Sequence, residues 1–335
     1  LGWMPAGLAI VSLVASAFFT AFTGASGVTI IALGAILFPA MHQAGYPEKF
    51  NLGLVTSAGS LGLLFAPSLP LILYGVVAEV PIEDLFLAGL LPGFLMLIIL
   101  SAYSMWKNNA IRTPLGDFSW KEVRGALRES MWELPLPIVV LGGIYSGYFA
   151  ISEAAAVTAL YVLIIDVLVL KEVSLRKLPA IIRESMILVG GIMMILGVSR
   201  ASTNFMIDAG VPQQLLEWIS GFVTGETAFM VMLLLFLLML GAILDVFSAI
   251  VLVVPLILPV AMQFGIHPVH LGIVFLATMQ IGYITPPIGL NLFIAGYRFD
   301  RPIVSIYLST LPFFVFLMMS VVLIAFWPML SLMFL

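Results

Sequence analysis

Cysteine is absent from this sequence and charged residues are scarce. No cysteine occurs among its 335 residues, which excludes disulfides and thiolate metal sites. Charged residues make up 9% of the chain, whereas a soluble domain carries about 25%. Hydrophobic residues make up 62%, and the apolar runs reach the length of about 20 residues that a spanning helix needs. The composition therefore predicts an all-α polytopic membrane protein embedded in a lipid bilayer.

Catalytic motifs are absent as well. The sequence has no His-Glu-x-x-His pair, nucleophile elbow or phosphate-binding loop, so an intramembrane enzyme would have no visible catalytic set. It begins at Leu1 without an initiator Met, a basic leader or a cleavage-site pattern. The missing motifs lead us to expect a protein that is not an enzyme. The start at Leu1 leads us to expect a fragment of a longer polypeptide.

What the sequence does contain is a repeat at an offset of 220 residues. Each copy has two apolar helical stretches joined by a short tip, at 23–27 and at 244–248, and then an apolar stretch interrupted at 59–70 or 285–287. The residues that return at this offset are Pro39, Gln43, Gly45, Gly62, Pro67, Leu91 and Pro92, which correspond to Pro259, Gln263, Gly265, Gly282, Pro287, Leu311 and Pro312. Two copies of one unit, each with an interrupted helix, predict a transporter core.

The positions of the basic residues predict the topology. Lys and Arg cluster at 107–128 and 171–183 and recur at Lys49, Arg298 and Arg301, all on one side of the predicted spans, which the positive-inside rule makes cytoplasmic. Five spans separate the two helical pairs, so the second copy is inverted relative to the first. Length alone does not decide whether each pair spans the membrane twice or forms a re-entrant hairpin.

We expect four segments along the chain. Residues 1–78 hold the first hairpin and broken helix, and residues 227–300 hold the second; together they form a transport domain. Residues 79–226 form scaffold spans with an amphipathic arm at 107–132, and residues 301–335 add a C-terminal scaffold span. The individual spans outside the repeats are predicted at 84–106, 133–150, 154–170, 181–207 and 303–333, with a surface helix at 211–221.

Hydroxyl-bearing and small residues cluster at the tips and interruptions. Half-helix ends and unwound carbonyls bind ions at mid-membrane in repeats of this kind, and Na⁺ prefers oxygen ligands. The expected Na⁺ ligands are Gly24, Ser26, Gly27, Thr29, Ser60, Asp245, Ser248, Gly282 and Thr285. The expected substrate contacts are Ser26, Ser57, Ser68, Arg200, Asp245 and Asn291. The competing interpretation is that these small residues only allow close helix packing.

Four of the polar residues have two interpretations each. Asp245 is an acid inside an apolar stretch, where acids usually have a function, but it can also cap a helix with its carboxylate. Arg200 can receive a substrate carboxylate, or it can snorkel or pair with a helix end. His267 and His270 stand three residues apart without a third ligand, which favours a capping or interfacial role over metal binding.

Several motifs resemble the large membrane subunit of tripartite ATP-independent periplasmic (TRAP) transporters, the DctM type. The matching stretches are Phe22-Thr23-Gly24-Ala25-Ser26-Gly27-Val28-Thr29, Gly143-Ile144-Tyr145-Ser146-Gly147, Glu153-Ala154-Ala155-Ala156-Val157, Gly210-Val211-Pro212-Gln213 and Ile281-Gly282-Tyr283-Ile284-Thr285-Pro286-Pro287-Ile288-Gly289-Leu290-Asn291. They span nearly the whole chain. Relative to the family, we expect spans before Leu1 to be missing from this sequence.

The resemblance implies a Na⁺-driven importer of the ion transporter superfamily with inverted repeats, two re-entrant hairpins, two broken helices and an elevator mechanism. It implies a bacterial inner membrane location, a small TRAP membrane subunit and a periplasmic substrate-binding protein that delivers an organic acid. It places the Na⁺ sites near Ser26 and Ser248. The family often has Glu where this chain has Asp245, and Arg200 lies outside its motifs.

Two other functions compete with this one. A Na⁺/anion symporter or exchanger of similar architecture would work without a binding protein. An intramembrane enzyme is disfavoured by the missing catalytic motifs.

Overall fold

The computed structural model of the chain describes residues 6–109, 120–132, 134–223 and 225–335. The chain divides into two compact units, one comprising Leu1–Gly116 with Thr203–Leu335 and the other Asp117–Ser202. The described residues are mainly helical, as the composition predicts.

The first unit contains both copies of the repeat. Its helices are α1 (Gly7–Thr23), α2 (Ser26–Gln43), α3 (Glu48–Ala58), α4 (Leu69–Ala78), α5 (Ile82–Lys107), α10 (Val211–Ser220), α11 (Glu226–Ile243), α12 (Val246–Gln263), α13 (Pro268–Gly282), α14 (Leu290–Phe299), α15 (Ile303–Phe326) and α16 (Met329–Leu332). The second unit contains α6 (Trp120–Glu129), α7 (Pro135–Tyr145), α8 (Ile151–Ile164) and most of α9 (Leu178–Asp208). A 3₁₀ turn at Leu61–Leu64 follows α3, and a π-helical turn at Ile165–Val169 continues α8.

Seven of the described helical segments are long and apolar enough to cross a membrane. They are Ser26–Gln43, Ile82–Lys107, Ile151–Val169, Leu178–Val198, Glu226–Ile243, Val246–Gln263 and Ile303–Phe326. Many large apolar side chains on these helices are exposed, among them Ile98, Met194 and Leu235. Because lipid solvates such surfaces, a polytopic membrane protein is confirmed.

The broken helices form the centre of the first unit. Every residue of α13 from Val269 to Gly282 is buried, and so is every residue of α3 from Phe50 to Ala58. Helices that are buried on all sides carry apolar or small residues on all faces. The first broken helix bends by 43° between the 3₁₀ turn and α4, and residues 283–289 separate α13 from α14. The interruptions at 59–70 and 285–287 are therefore in the predicted places.

Equivalent glycines bring each broken helix against the first arm of the helical pair in its own copy. A Cβ on Gly62 would lie against the Ala17 carbonyl oxygen and 2.5 Å from the Ala21 nitrogen. A Cβ on Gly282, 220 residues later, would lie 2.5 Å from the Cα of Gly241, the position equivalent to Ala21. The sequence repeat is therefore also a repeat of helix packing.

The second arms pack across the two copies. Arm α2 of the first copy packs on α14 of the second, and arm α12 of the second packs on α4 of the first. At the centre, the Ser60 hydroxyl donates to the Gln280 carbonyl oxygen at 3.3 Å, and these two positions are themselves 220 residues apart. Such reciprocal contacts join the two copies into one body.

Two predicted spans end earlier than the sequence suggests. Helix α7 stops at Tyr145 instead of residue 150, because Gly147 takes a left-handed backbone with φ +75°. Helix α15 stops at Phe326 instead of residue 333, since Pro328 disfavours a helical conformation at Trp327, and the short α16 follows. Within the predicted amphipathic arm, α6 is helical and residues 110–119 lie outside the described residues.

Candidate functional site

Both tips and both breaks contribute residues to the lining of one cleft of about 340 Å³ in the first unit. The lining consists of Gly24, Ala25, Ser26, Gly27, Val28, Ile31, Leu63, Asp245, Val246, Phe247, Tyr283, Leu290 and Ile294. Four pairs of these positions are equivalent in the repeat, namely Ala25 with Asp245, Ser26 with Val246, Gly27 with Phe247, and Leu63 with Tyr283. The cleft is therefore built by matching parts of the two copies, but its two halves differ in chemistry.

In the second tip, Asp245 caps α12. Its Oδ2 accepts hydrogen bonds from the amides of Phe247 at 3.0 Å and Ser248 at 3.1 Å, and its Oδ1 accepts one from the Ser248 hydroxyl at 2.5 Å. These hydrogen bonds therefore support the capping interpretation of Asp245. Asp245 also lines the cleft and is the one formally charged residue of the lining.

Two further hydrogen bonds close the second tip. The Val246 amide donates to the Tyr283 hydroxyl at 2.6 Å, and the Gly289 amide donates to the Ala242 carbonyl at 3.0 Å. The sequence prediction did not include Tyr283. The signal that could have identified it is its position in the repeat, where an aromatic hydroxyl replaces Leu63 directly beside the break.

The first tip has no side-chain cap. Gly24 takes a left-handed backbone with φ +65°, and a Cβ there would lie 2.9 Å from the Cβ of Leu69, so the turn requires glycine. Ala25 occupies the N-cap position of α2 and offers no side-chain acceptor. The amides in the first turn of α2 therefore border the cleft without the carboxylate that covers their counterparts in α12.

An oxygen cluster lies behind the first tip. The Thr20 hydroxyl oxygen is 2.6 Å from the Thr29 hydroxyl oxygen, 2.8 Å from the Ser16 carbonyl oxygen and 2.9 Å from the Gly59 carbonyl oxygen. Two hydroxyl protons thus serve more oxygens than they can bond at once. Thr29 was predicted as a ligand and Thr20 was not, although Ser12, Ser16 and Thr20 recur every fourth residue along the buried face of α1.

Asn291 connects the two copies through its side-chain amide. Its Oδ1 accepts from the Ser26 hydroxyl at 2.8 Å, and its Nδ2 donates to the Thr56 carbonyl at 3.3 Å. The structure therefore brings two predicted substrate contacts together, one from the first tip and one from the start of α14. Asn291 itself lies behind the cleft wall that Ser26 lines.

The predicted serines of the first break are buried. The hydroxyls of Ser57 and Ser68 have no hydrogen-bond partner among the described residues, which leaves two buried donors unused, a situation that proteins usually avoid. Ser60 makes only long contacts, to the carbonyls of Gln280 at 3.3 Å and Ser57 at 3.5 Å. These three serines are absent from the cleft lining.

The other predicted residues make local contacts or lie outside the description. Thr285 donates to the Ile281 carbonyl at 2.9 Å, and neither it nor Ser248 or Gly282 lines the cleft. Arg200 lies in α9, but its side chain lies outside the described residues. Of the predicted ligands, Gly24, Ser26, Gly27 and Asp245 line the cleft.

The histidines have structural roles, as expected. The Val269 amide donates to His267 Nδ1 at 3.3 Å, which caps α13. His270 is buried between the Ser331 hydroxyl at 2.5 Å and the Ala325 carbonyl at 3.2 Å. Within the part of the chain that the structure describes, no three His, Asp or Glu residues are grouped to hold a metal ion.

Comparison with known proteins connects this arrangement to transport. The family model described as "Tripartite ATP-independent periplasmic transporter, DctM component" matches residues 1–330. The chain is 32% identical over 332 residues to the C4-dicarboxylate TRAP transporter large permease protein DctM of Pseudomonas aeruginosa, covering 99% of this chain and 78% of that protein. It is 31% identical to the sialic acid TRAP transporter large permease protein SiaM of Vibrio cholerae, covering 99% of this chain and 78% of that protein.

A longer relative extends beyond the matched region. The chain is 34% identical over 326 residues to the isethionate TRAP transporter permease protein DctMQ of Oleidesulfovibrio alaskensis. The match covers 97% of this chain but 51% of that relative. The chain therefore spans about half the length of this relative.

Proposed function

The chain belongs to the DctM family, the large permeases of TRAP transporters, and from this premise we propose that it imports an organic acid together with Na⁺ across a bacterial inner membrane. The observation that supports this best is the single cleft lined by both tips. A solute bound there would contact both copies of the repeat at once. Relatives named for C4-dicarboxylate and sialic acid transport support an acid as the solute.

The coupling ion would bind at the oxygen-rich ends of the tips. The cluster of Thr20, Thr29 and the Gly59 carbonyl offers closely spaced oxygens with too few protons to bond them all. At the second tip, Asp245 offers a carboxylate that balances the ion's charge and orders the tip at the same time. Both donor sets suit a hard monovalent cation.

Coupling follows if the tips bind solute well only when ions order them. The first tip lacks its own cap and relies on Ser26 and Thr29 for its contacts, so an ion at the threonine cluster would fix α2 in its solute-binding position. Solute and ion would then each raise the affinity of the other. In this proposal the helical pairs are re-entrant hairpins of inverted repeats, and the loaded transport domain moves against the scaffold spans in an elevator mechanism.

The partners would be those of the family. A small TRAP membrane subunit would pack on the scaffold spans, and a periplasmic substrate-binding protein would deliver the acid. The relative named DctMQ, which is longer than this chain, is consistent with a fused small subunit in that protein.

Uptake into proteoliposomes tests the proposal. The permease, reconstituted with its small subunit and its binding protein, should take up labelled acid when Na⁺ is present outside and much less when K⁺ replaces Na⁺. Uptake that is indifferent to Na⁺ would rule out the coupling. Undiminished uptake without the binding protein would favour an independent symporter or exchanger, and chemically altered solute inside the vesicles would favour an enzyme.

Two threonine variants provide the matched control for the ion site. Thr29→Val removes a hydroxyl from the oxygen cluster while keeping the side-chain shape, and it should lower the apparent Na⁺ affinity by about tenfold. Thr278→Val removes a buried hydroxyl that donates only to the Val274 carbonyl of its own helix, and it should leave the Na⁺ dependence unchanged. Equal effects of the two variants would contradict the ion site.

A further inference from the structure

Tyr283 lines the cleft, and its hydroxyl lies at the second tip. The residue follows α13 directly, is 2% exposed and lines the cleft together with Asp245 and Val246. Its hydroxyl oxygen accepts a hydrogen bond from the Val246 amide at 2.6 Å. This contact uses the oxygen as an acceptor and leaves its proton available.

The proton of this hydroxyl has no acceptor among the described residues. A phenol carries one donor and can also accept, and the one hydrogen bond of the Tyr283 hydroxyl is the one that it accepts from the Val246 amide. A buried donor without an acceptor is destabilising, and the destabilisation disappears when a bound molecule supplies an oxygen. Because Tyr283 lines the cleft, the missing acceptor belongs to whatever occupies the cleft.

The charge next to Tyr283 restricts the kind of oxygen that fits. Asp245 directly precedes the residue whose amide binds the Tyr283 hydroxyl, and it is the one formally charged side chain of the lining. A Na⁺ ion at the second tip would already be balanced by Asp245, so a second carboxylate placed there would be a buried charge without a partner. A neutral hydroxyl or carbonyl oxygen would not be, so the acceptor at Tyr283 is an uncharged oxygen.

The opposite half of the cleft suits the carboxylate of the same solute. There the first turn of α2 exposes amides without a side-chain cap, at Ser26, Gly27 and Val28, and helix N-termini favour anions. The equivalent of Tyr283 in this half is Leu63, which offers no donor. The two halves thus fix the direction in which a solute binds.

We propose that Tyr283 is a specificity-determining residue that donates a hydrogen bond to an uncharged oxygen of the solute, so that the permease selects hydroxy or keto acids over the corresponding plain acids. This inference rests on the proposed function, since it takes the cleft as the solute site.

Pairs of acids that differ by one hydroxyl test it. The probes are L-malate with succinate, L-lactate with propionate, and 5-hydroxyectoine with ectoine, each competing for Na⁺-driven uptake into proteoliposomes. For the pair that the protein binds best, the wild type should prefer the hydroxylated member by about tenfold. Tyr283→Phe should reduce that preference to about one, because the binding of the plain acid does not depend on the hydroxyl.

A control separates this role from support of the tip, since Tyr283→Phe also leaves the Val246 amide without its acceptor. Ser248→Ala removes one hydrogen bond to Asp245 and loosens the same tip without touching Tyr283. It should weaken both members of a pair alike and keep the preference between them. A preference that falls equally in both variants would overturn the inference and leave Tyr283 a support of the tip.

A measurement on the wild type does not depend on any variant folding. The methyl ether of malate, 2-methoxysuccinate, keeps an acceptor oxygen but has no hydroxyl proton. It should compete better than succinate, because Tyr283 is the donor. Wild-type protein that prefers the plain acids overturns the inference alone, and wild-type protein that takes up no acid overturns the proposed function together with the inference.

Discussion

The two tips have the same length but different backbone conformations and different hydrogen bonds. In each, a first arm ends, two residues turn, and a second arm begins. The second tip is held by residues near it in the repeat, with the Asp245 cap, the Tyr283 hydroxyl and the Gly289 amide all at the break or the tip itself. The first tip has no cap and is held by Asn291, 265 residues away, and by Thr20 behind it.

The difference shows that two copies of a repeat can share the same helix packing while their tips are held by different contacts. The hydrogen bonds that hold the second tip come from its own copy of the repeat, so its conformation depends little on the rest of the molecule. The first tip depends on contacts with the other copy and, in the proposed mechanism, on an ion. We therefore expect the first tip to respond most to ligands.

We expect the largest loss of stability from substitutions that disrupt the helix packing shared by the two copies. Gly62→Ala and Gly282→Ala place a methyl group against the backbone of the facing arm, and each should lower the stability by about 3 kcal/mol. Thermal unfolding in detergent micelles measures this. Gly142→Ala is the control, since a Cβ there meets nothing within 4 Å. Equal unfolding midpoints for all three variants would show that the crossings are not close-packed.

We expect the next largest effect from a substitution that removes the hydrogen bonds of the first tip alone. Asn291→Ala removes the acceptor of the Ser26 hydroxyl and the donor to the Thr56 carbonyl, which should cost about 2 kcal/mol. Hydrogen exchange at residues 26–28 should become about tenfold faster or more, whereas exchange at 246–248 should stay slow. Faster exchange at both tips would mean that they open together and that the comparison fails.

A smaller effect would weaken the second tip. Asp245→Ala removes the cap of α12 and should cost about 1 kcal/mol, measured again as a shift of the unfolding midpoint. Asp245→Asn keeps an acceptor for the amides of Phe247 and Ser248 and should lose little stability. If the two variants unfold alike, the capping hydrogen bonds contribute nothing and the negative charge alone matters.

We expect the smallest effect from a substitution that gives the first tip the same N-cap residue as the second. Ala25→Asp places a carboxylate at the N-cap position of α2, where the backbone is already extended with φ −131° and ψ 109°. The new cap should stabilise the protein by about 0.5 kcal/mol and slow hydrogen exchange at residues 26–28. Unchanged exchange there would indicate that the amides already have partners.

The elements that the sequence predicted well have local signals. The first tip was visible because a run of small residues surrounds Gly24, whose left-handed backbone excludes other residues. The breaks were visible because prolines such as Pro67 and Pro287 interrupt apolar runs. The equivalence of Gly62 and Gly282 was visible as a repeat, and both glycines lie at helix crossings.

The parts that the sequence did not predict depend on long-range contacts. Thr20 joins the oxygen cluster only because the Gly59 carbonyl comes within 2.9 Å of it from another helix. The Tyr283 hydroxyl reaches the second tip only because the fold brings it within 2.6 Å of the Val246 amide, which lies 37 residues earlier in the chain. No local pattern encodes such distances. The end of α15 is different, since Pro328 was visible in the sequence.

The contact between Ser60 and Gln280 has a consequence for measurements of motion. Ser60 and Gln280 occupy equivalent positions of the repeat, so this contact lies where the two copies meet. If the copies exchange conformations during a transport cycle, this point stays at the same distance from both. Spectroscopic labels placed next to it would give a fixed origin, against which the displacement of either tip can be measured separately.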